Sequence, residues 1–502
     1  LNKTQALLFN GCNMNRDVIV IGAGIGGLTT SILLAKSGFQ VRVIDQATCA
    51  GGKLKQMHLG PYRFDRGPSL LTLPEHISEL GALAGLKPFD CLRLSSVVYT
   101  QFEDGTSFSS GADVNSLALV LDEAGLASSK TVLNTFKLAA RHYRITAPVF
   151  LKQSLHRWRS YFKMSTLKGI MLFPIAAVFK SMANQNASRF KNPKAQQFFN
   201  RYATYNGSNP YRAPGLLNMI PHLEFECGAY FPKQGMAAIP EYLYEAACKL
   251  GVKFIFNTRV TSVLDLNLKT KVVHTASGIL KASILVCNTD VHFFYTQLAP
   301  QLKYAQRFKK AEKSSSAYVF FWGINRSFDQ LQVHNIFFSK NYKQEFSTIF
   351  DAGNIPEDPT IYVHISAKVC STDAPKGHEN WFVMVNVPHN STQLPISYGP
   401  ILRQHVINKL NRMLHTQLQN HIVEESTQDP FTIERDTSSF GGSLYGNSSN
   451  SKWSAFLRHP NFKSTVKGLY FTGGSVHPGG GIPLCIFSGH ITAGLIKKDY
   501  TI

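Results

Sequence analysis

The chain has 502 residues and 44% hydrophobic content, enough apolar material to form two hydrophobic cores. Its eight cysteines include no C-x-x-C pair, and its seventeen histidines show no clustered ligand spacing. These features exclude a zinc-ribbon or disulfide scaffold and predict reduced thiols, a cytoplasmic protein and no metal site. The formal net charge of +21 indicates a negatively charged partner.

The N-terminal stretch predicts a strand, a helix and a second strand in succession. Residues 1–13 precede Met14 and are interpreted as an extension or a disordered segment. The apolar run Asp17 to Ile21 is suited to a buried parallel strand, and Leu28 to Lys36 favours a helix. The segment "VRVID" then forms a second strand that ends on Asp45.

The turn between this strand and helix carries the G-x-G-x-x-G spacing at Gly22, Gly24 and Gly27, and Asp45 lies at the expected distance beyond it. Glycine permits the tight turn, the close approach of a pyrophosphate, and close packing of helix on strand. Gly26 belongs to the same turn. The pattern predicts a dinucleotide site in which Asp45 accepts hydrogen bonds from a ribose.

A second glycine-rich stretch, "CAGGKLKQMHLGPYRFDRGPSLLTLP", covers residues 49–74. A nicotinamide-dependent dehydrogenase does not usually continue in this way. The stretch contains Gly52 and Lys53 near its start and Gly67, Pro68 and Ser69 further on.

The segment 137–201 contains thirteen Lys or Arg residues, and no acid occurs from 124 to 223. An apolar stripe at helical spacing runs through Leu151, Leu155, Trp158 and Phe162. Basic residues lie beside it at Lys152, Arg159 and Lys163. The pattern predicts a helix lying on an anionic membrane surface. A basic solvated face on a core helix is the alternative, and nucleic-acid binding is disfavoured by the apolar run "GIMLFPIAAVF".

The stretch 199–224 contains a polar and aromatic cluster outside the glycine motifs. Its members are Arg201, Tyr202, Tyr205, Asn206 and Asn209. Such groups could hydrogen-bond a terminal hydroxyl group of a substrate, and an ordinary polar turn between helices is the alternative.

Three later segments predict further strands, helices and a glycine loop. "YFPKQGMAAIPEYLYEAACKLGVKFIFNTRVTSV" (230–263) predicts a turn, a helix and a strand near Val260, and "ILVCNTDV" (284–291) predicts another strand. "GLYFTGGSVHPGGGIPLCIFSGHITAGLI" (468–496) predicts a strand, a glycine loop and a helix that begins near Pro483.

Together these segments resemble the FAD proteins of the amine-oxidase and carotenoid-desaturase superfamily, most closely the bacterial phytoene-desaturase type. The stretch 199–224 is similar to the hydroxycarotenoid 3,4-desaturase branch. The resemblance implies that the cofactor is bound by Gly52, Lys53, Gly67, Pro68 and Ser69. It also implies that the backbone of Val260 meets the adenine. It also implies that the C-terminal loop passes the flavin ring, with contacts from Gly473, Gly474, Gly480, Gly481 and Ile482.

The expected fold class is α/β, with a Rossmann-type FAD-binding domain that is discontinuous in sequence and an α+β substrate domain. The FAD-binding domain is predicted at 14–75, 230–297 and 455–502. The substrate domain is predicted at 76–229 and 298–454.

The resemblance implies an FAD-dependent carotenoid desaturase that is peripheral to the membrane. Its expected partners are an acyclic carotenoid, an anionic membrane surface and a terminal electron acceptor such as quinone or oxygen, with no nucleic acid. Phytoene desaturation and 3,4-desaturation of a 1-hydroxycarotenoid both remain open. The alternatives are a carotenoid terminal oxidase, an amine-oxidase-like flavoenzyme, and a prenyl-lipid escort protein on the same fold.

No residue spacing assigns a catalytic acid or base. Asp65, Arg66 and His477 lie in motifs expected near the flavin and could assist proton transfer, but structural roles are favoured for each. Cys485 is interpreted as a small buried residue.

Overall fold

The computed structural model describes residues 16–157, 171–172, 175–390, 398–451 and 458–500. Its strands are β1 (Asp17–Ile21), β2 (Gln40–Ile44), β3 (Gln56–Leu59), β4 (Tyr62–Asp65), β5 (Cys91–Arg93), β6 (Tyr99–Gln101), β7 (Ser107–Ser109), β8 (Tyr230–Pro232), β9 (Lys253–Ile255), β10 (Val260–Leu264), β11 (Lys271–Thr275), β12 (Gly278–Ala282), β13 (Ile284–Cys287), β14 (Ser316–Ile324), β15 (His334–Phe337), β16 (Ile361–Ile365), β17 (Glu379–Val387), β18 (Ile422–Gln428) and β19 (Leu469–Phe471).

The α-helices are α1 (Ile25–Lys36), α2 (Glu75–Ala82), α3 (Val114–Glu123), α4 (Ser129–Thr146), α5 (Ile175–Phe179), α6 (Met182–Arg189), α7 (Pro193–Asn200), α8 (Ile220–Phe225), α9 (Ala238–Lys249), α10 (Val291–Phe293), α11 (Gln306–Lys309), α12 (Tyr342–Phe350), α13 (Tyr398–Leu414), α14 (Pro430–Thr437) and α15 (Ile482–Tyr500). Short π or 3-10 turns occur at Ala147–Leu151, Arg201–Asn206, Gly215–Met219, Phe294–Leu298, Ser366–Lys368, Leu418–Asn420 and Phe440–Gly442.

A five-stranded parallel sheet has the order β19-β13-β1-β2-β9. Its central strands are buried on both faces, which explains why β1 and β13 are continuous apolar runs without alternation. The helix α1 packs against α9 and α15 beside this sheet. Three distant parts of the chain therefore build one sheet.

A seven-stranded sheet has the order β18-β14-β17-β16-β15-β6-β7 and is antiparallel except where β15 pairs with β6. Residues of β14 alternate between its two faces. Phe320 and Trp322 join the core that includes Leu402 and Leu410 of α13, whereas Ala317 and Val319 face the opposite side. This alternation leaves one face of the sheet free to line an internal cavity.

The two sheets confirm the predicted α/β class, with a parallel sheet of discontinuous origin and a second, separate sheet. The predicted strands at 284–291 and near Val260 are present as β13 and β10, and the predicted C-terminal helix is α15. The domain bounds given above stay predictions.

The predicted basic helix through Leu151 and Leu155 is wrong in its described part. Helical structure ends with the π turn at Leu151, and residues 152–157 form bends and turns. The side chain of Gln153 donates to the Pro148 carbonyl at 3.0 Å, so it bonds the backbone in place of a continuing helix. Leu155 is buried rather than presented to a surface.

The remaining members of that pattern lie outside the described residues. They are Trp158, Arg159, Phe162 and Lys163, and the segment 1–13 lies outside them too. Within the described ranges, none of the helices combines the length and the apolar character needed to cross a membrane.

Candidate cofactor and substrate site

One cavity of about 650 Å³ extends from the carboxyl ends of the parallel strands to the free face of the seven-stranded sheet. Parallel strands of open α/β sheets commonly present ligand sites at this edge. The cavity is lined at one end by the glycine motifs and at the other by apolar and aromatic side chains.

The turn from β1 to α1 forms one wall of the glycine end. Gly22 has a φ of +101°, a conformation that favours glycine. A Cβ atom on Gly27 would lie 2.2 Å from the Gly22 carbonyl oxygen, so Gly27 permits helix and strand to pack closely. Gly22, Gly24 and Gly26 line the cavity, whereas Gly27 is not among its lining residues. Gly24 is the N-cap of α1, whose first amide groups have no intrahelical acceptor.

The second glycine pair faces this turn. Gly52 has a φ of +61°, and a Cβ atom on it would lie 3.2 Å from the Cα atom of Gly24. The Gly51 amide donates to the Ala23 carbonyl at 3.0 Å and fixes the two loops together. The two loops therefore meet backbone to backbone, and Gly24 and Gly52 both line the cavity without a side chain that would cover bound phosphates.

Asp45 lies at the end of β2 on the cavity lining. Its carboxylate accepts hydrogen bonds from the Ala23 amide at 2.7 Å and from the Ala47 amide at 2.8 Å. A carboxylate can accept about four hydrogen bonds, so capacity remains for a ribose diol. Val260, at the start of β10, lines the cavity as well.

The C-terminal glycine loop closes the same end. Gly473 has a φ of +99° and Gly481 a φ of +114°. A Cβ atom on Gly481 would meet no atom within 4 Å, although Gly481 lines the cavity. The helix α15 begins directly after it at Ile482, so its N-terminus opens toward the cavity. Gly474 and Gly480 line the cavity beside them.

Lys53 is enclosed between these loops. Its ammonium group donates to the Leu444 carbonyl at 2.8 Å, and burial lowers its pKa. A Cβ atom on Gly67 would lie 2.2 Å from the Lys53 carbonyl oxygen. Pro68 and Ser69 continue the cavity wall. Cys485 lines the cavity nearby, where burial raises the pKa of its thiol to about 11.

These residues fit a dinucleotide cofactor of the FAD type. Glycines keep side chains off the backbone at this end of the cavity, the Asp45 carboxylate lies there with acceptor capacity for a ribose, and two helix N-termini open onto the cavity. Both helix termini provide amide donors and partial positive charge for anionic groups.

The three residues considered for proton transfer have protein partners. Asp65 is buried and accepts from the Met236 amide at 3.0 Å, and it is not among the cavity-lining residues. Arg66 lines the cavity but pairs with Asp436 at 3.1 Å. His477 donates a hydrogen bond from Nε2 to the Gln153 carbonyl, and burial lowers the pKa of His477 to about 3.

The polar cluster of residues 199–224 reaches the cavity only in part. Arg201, Tyr205 and Asn206 line it, whereas Tyr202 and Asn209 are not lining residues. Asn209 accepts from the Tyr211 amide and has the role of a local turn residue.

Glu224 joins this cluster, although the sequence analysis missed it. Its carboxylate accepts from Tyr202, from Tyr205 at 2.5 Å and from Arg201 at 3.3 Å. The side chains of Arg201 and Glu224 are each only 3% exposed. The available signal was its position as the first acid after the acid-free stretch.

Two further cavity residues were missed, His334 on β15 and Tyr362 on β16. They lie in short strands, and a polar side chain on the inward face of a strand was the signal that could have found them. Around them and the Arg201 cluster the wall is apolar. Its apolar members include Phe150, Leu216, Met219, Ile220, Leu223 and Ile336.

Comparison with known proteins gives one consistent result. Residues 25–497 match the family model described as flavin containing amine oxidoreductase. The chain is 44% identical to the 1-hydroxycarotenoid 3,4-desaturase of Flavobacterium sp. (strain P99-3) over 485 residues, which cover 96% of this chain and 99% of the relative. It is 32% identical to the 4,4'-diapolycopene oxygenase of Methylomonas sp. over 97% of this chain and 99% of the relative.

Among solved structures, cyclohexylamine oxidase from Brevibacterium oxydans superposes with a TM-score of 0.60 at 14% identity. That match covers 96% of this chain and 98% of the other. At this identity the likeness concerns the fold.

Proposed function

Because the chain belongs to the flavin-containing amine oxidoreductase family, we propose that it is an FAD-dependent carotenoid desaturase that forms the 3,4 double bond of a 1-hydroxycarotenoid. The observation that carries this proposal is the continuity of the cavity, which joins its glycine end to an apolar chamber with a few buried polar groups. The near full-length similarity to a desaturase of that name supports the same substrate class.

The FAD site in this proposal uses the glycine turn, the second glycine pair and the C-terminal loop. Its members are Gly22, Gly24, Gly26, Gly27, Asp45, Gly52, Lys53, Gly67, Pro68, Ser69, Val260, Gly473, Gly474, Gly480, Gly481 and Ile482. Gly27 contributes through helix packing, and the others through the cavity wall. The flavin domain then comprises 14–75, 230–297 and 455–502.

When bound, FAD supplies the acceptor for the hydride that leaves the carotenoid. The protein's own contribution is to hold the polyene in an apolar chamber that excludes water. Apolar side chains such as Leu216, Met219 and Leu223 provide that wall. A terminal acceptor such as quinone or oxygen completes the cycle, and no residue of the chain is assigned as a catalytic base.

The protein also binds a membrane surface in this proposal, because its substrate dissolves in the bilayer. Exposed apolar side chains lie at Met171, Leu172 and Phe179, with exposures of 87%, 57% and 63%. On the inner side of the same segment, Ala177 and Val178 pack against Leu216, a cavity-lining residue. The segment that carries Phe179 therefore packs directly against a residue of the cavity wall.

Basic residues favour an anionic surface, since each contributes about 1 kcal/mol near such lipids. Lys180 follows the patch directly and is exposed. Not every basic residue of the segment is available, because Arg157 pairs with Asp499 and Lys194 with Asp104. We propose a cytoplasmic protein held at the membrane by the apolar patch, with charge as a secondary contribution.

The test of function is expression in cells that accumulate either phytoene or a 1-hydroxycarotenoid, followed by absorbance and mass analysis of the extracted pigment. A red shift and a loss of two mass units only with the hydroxylated substrate supports the proposal. Coloured products from phytoene would instead assign phytoene desaturation. Products with added oxygen would assign the terminal oxidase alternative, which the similarity to an oxygenase keeps open.

A further inference from the structure

A chain of three side chains crosses the cavity wall between the glycine end and the seven-stranded sheet. His334 Nδ1 and the Tyr362 hydroxyl are 2.7 Å apart, and the Tyr362 hydroxyl lies 2.6 Å from the Ser69 hydroxyl. All three residues line the cavity. His334 is only 3% exposed, so its ring is fixed by this chain and by packing.

The other ring nitrogen of His334, Nε2, is buried and has no hydrogen-bonding partner among the described residues. A buried polar atom left in this state carries an energetic cost, because it has lost its hydrogen bonds to water. A ligand atom that reaches Nε2 from the cavity would remove that cost.

The groups that face His334 keep its ring neutral. His364 stacks on it with ring centroids 5.0 Å apart, and Arg201 lies close enough to act on it electrostatically. Burial, with smaller contributions from His364 and Arg201, holds the pKa of His334 well below its usual range. Nε2 is therefore a neutral donor or a neutral acceptor, depending on which way the Tyr362 hydroxyl points.

Neighbouring hydroxyl groups are already committed to protein partners. Tyr202 and Tyr205 each donate their proton to Glu224. Arg201 also donates to Glu224, while its buried Nε has no partner among the described residues. Among the described residues of this region, His334 Nε2 and Arg201 Nε are thus two buried polar atoms without a partner.

We propose that His334 binds the hydroxyl group of the carotenoid and selects hydroxylated over non-hydroxylated substrates, with Arg201 as a second donor. A hydroxyl group both donates and accepts, so it satisfies Nε2 in either tautomer. A hydrocarbon end leaves Nε2 unpaired, and a site of this kind rejects such an end. The inference rests on the proposed function, because that function supplies the hydroxylated substrate.

The experiment measures the dissociation constants of a 1-hydroxycarotenoid and its non-hydroxylated counterpart for the FAD-loaded enzyme, by quenching of protein fluorescence. We expect wild type to bind the hydroxylated carotenoid about 10- to 100-fold more tightly, the ratio that 1.4–2.7 kcal/mol produces. His334→Phe should reduce this ratio to near one, and His334→Gln should retain part of it. His364→Phe is the matched control, since His364 is buried beside His334 but does not line the cavity.

Several outcomes would overturn the inference. A wild-type ratio near one would do so whether or not any variant folds, and so would an unchanged ratio in His334→Phe. An equal loss of affinity for both carotenoids in His334→Phe would assign a structural role instead. Because the measurement is of binding, it is separate from turnover: an enzyme that discriminates between the carotenoids but desaturates neither would contradict the proposed function alone.

Discussion

Gly26 and Gly473 touch across the start of α1, where a Cβ atom on Gly26 would lie 2.8 Å from both the Cα and the backbone nitrogen of Gly473. The side chains of Thr30 and Thr472 continue the contact one turn further, with their hydroxyl groups 3.3 Å apart. The first helix and the C-terminal glycine loop are thereby held in contact at the glycine-lined part of the cavity. Any residue larger than glycine at 26 must displace backbone.

We expect Gly26→Ala to lower the free energy of unfolding by about 1–3 kcal/mol, the range for overpacking a site that cannot relax. Chemical denaturation of the wild type and the variant measures this difference in the free energy of unfolding. Gly494→Ala is the matched control, because Gly494 lies in α15 and a Cβ atom there would meet nothing within 4 Å. Equal stabilities of the two variants would show that the α1 contact is not as tight as described.

Gly24→Val should give folded protein that lacks FAD. A Cβ atom at Gly24 already lies 3.0 Å from the Asn288 side-chain nitrogen and 4.0 Å from the Cα atom of Gly52. The two methyl groups of valine would therefore occupy space at the turn that a pyrophosphate needs. The ratio of flavin to protein absorbance after gel filtration measures the effect, with circular dichroism as the check on folding. Gly494→Val carries the same side chain at an open site and should keep its flavin. Stoichiometric flavin in Gly24→Val would place the cofactor elsewhere.

The nucleotide-binding part of the fold was predictable because its determinants are local. Each glycine of the β1–α1 turn acts within a few residues, and Asp45 follows at a distance set by one helix and one strand. The same holds for the C-terminal loop. The backbone conformation of each of these turns depends on residue types within a short stretch of sequence, so it can be predicted from that stretch.

The substrate end was less predictable because its contacts join distant segments. The spacing of Leu151 and Leu155 favours a helix, but Gln153 bonds the Pro148 carbonyl and the helix ends. Arg201 was expected at the site, whereas its partner Glu224 comes from a separate helix. Helical periodicity indicates only that a segment prefers a helix. Whether a side chain such as Gln153 bonds the backbone and ends the helix depends on the folded structure.

Asp65 should make stability depend on pH. Burial raises its pKa to about 6, against the opposing effects of Arg63 and the Met236 and Ala237 amides. Because the folded pKa exceeds the unfolded value, folding favours the protonated acid. Its contribution is therefore complete below about pH 4 and is lost as pH rises to about 6, by up to about 3 kcal/mol.

The comparison of wild type with Asp65→Asn at pH 4 and pH 7 isolates this effect. Denaturant unfolding at both values should show a smaller loss of stability with rising pH in the variant, since asparagine does not ionise. Identical pH dependence in the two proteins would contradict the raised pKa.

The exposed apolar patch should control membrane binding. We expect the triple change Met171→Ser, Leu172→Ser and Phe179→Ser to weaken co-sedimentation with anionic liposomes by at least about tenfold, since each buried apolar side chain contributes about 1.5–3 kcal/mol. Leu268→Ser with Ile279→Ser is the control, because these residues are 58% and 59% exposed on or beside the β10–β12 sheet. Equal liposome binding by the triple variant and the control variant would show that the exposed apolar patch does not contact the membrane.

Glu224→Gln should destabilise the protein more than its lost hydrogen bonds account for. The change leaves the guanidinium of Arg201 buried without its carboxylate, and breaking a buried pair from one side costs about 3–5 kcal/mol. Tyr205→Phe removes one hydrogen bond to the same carboxylate and should cost about 1 kcal/mol. Replacing both charges, as Arg201→Met with Glu224→Gln, should cost less than Glu224→Gln alone, because no unpaired charge remains and the glutamine oxygen still accepts from the tyrosine hydroxyl groups. Denaturant unfolding measures the free energy of unfolding of each variant and so ranks their stabilities. A double variant less stable than Glu224→Gln would mean that the pair stabilises the chamber by more than mutual neutralisation.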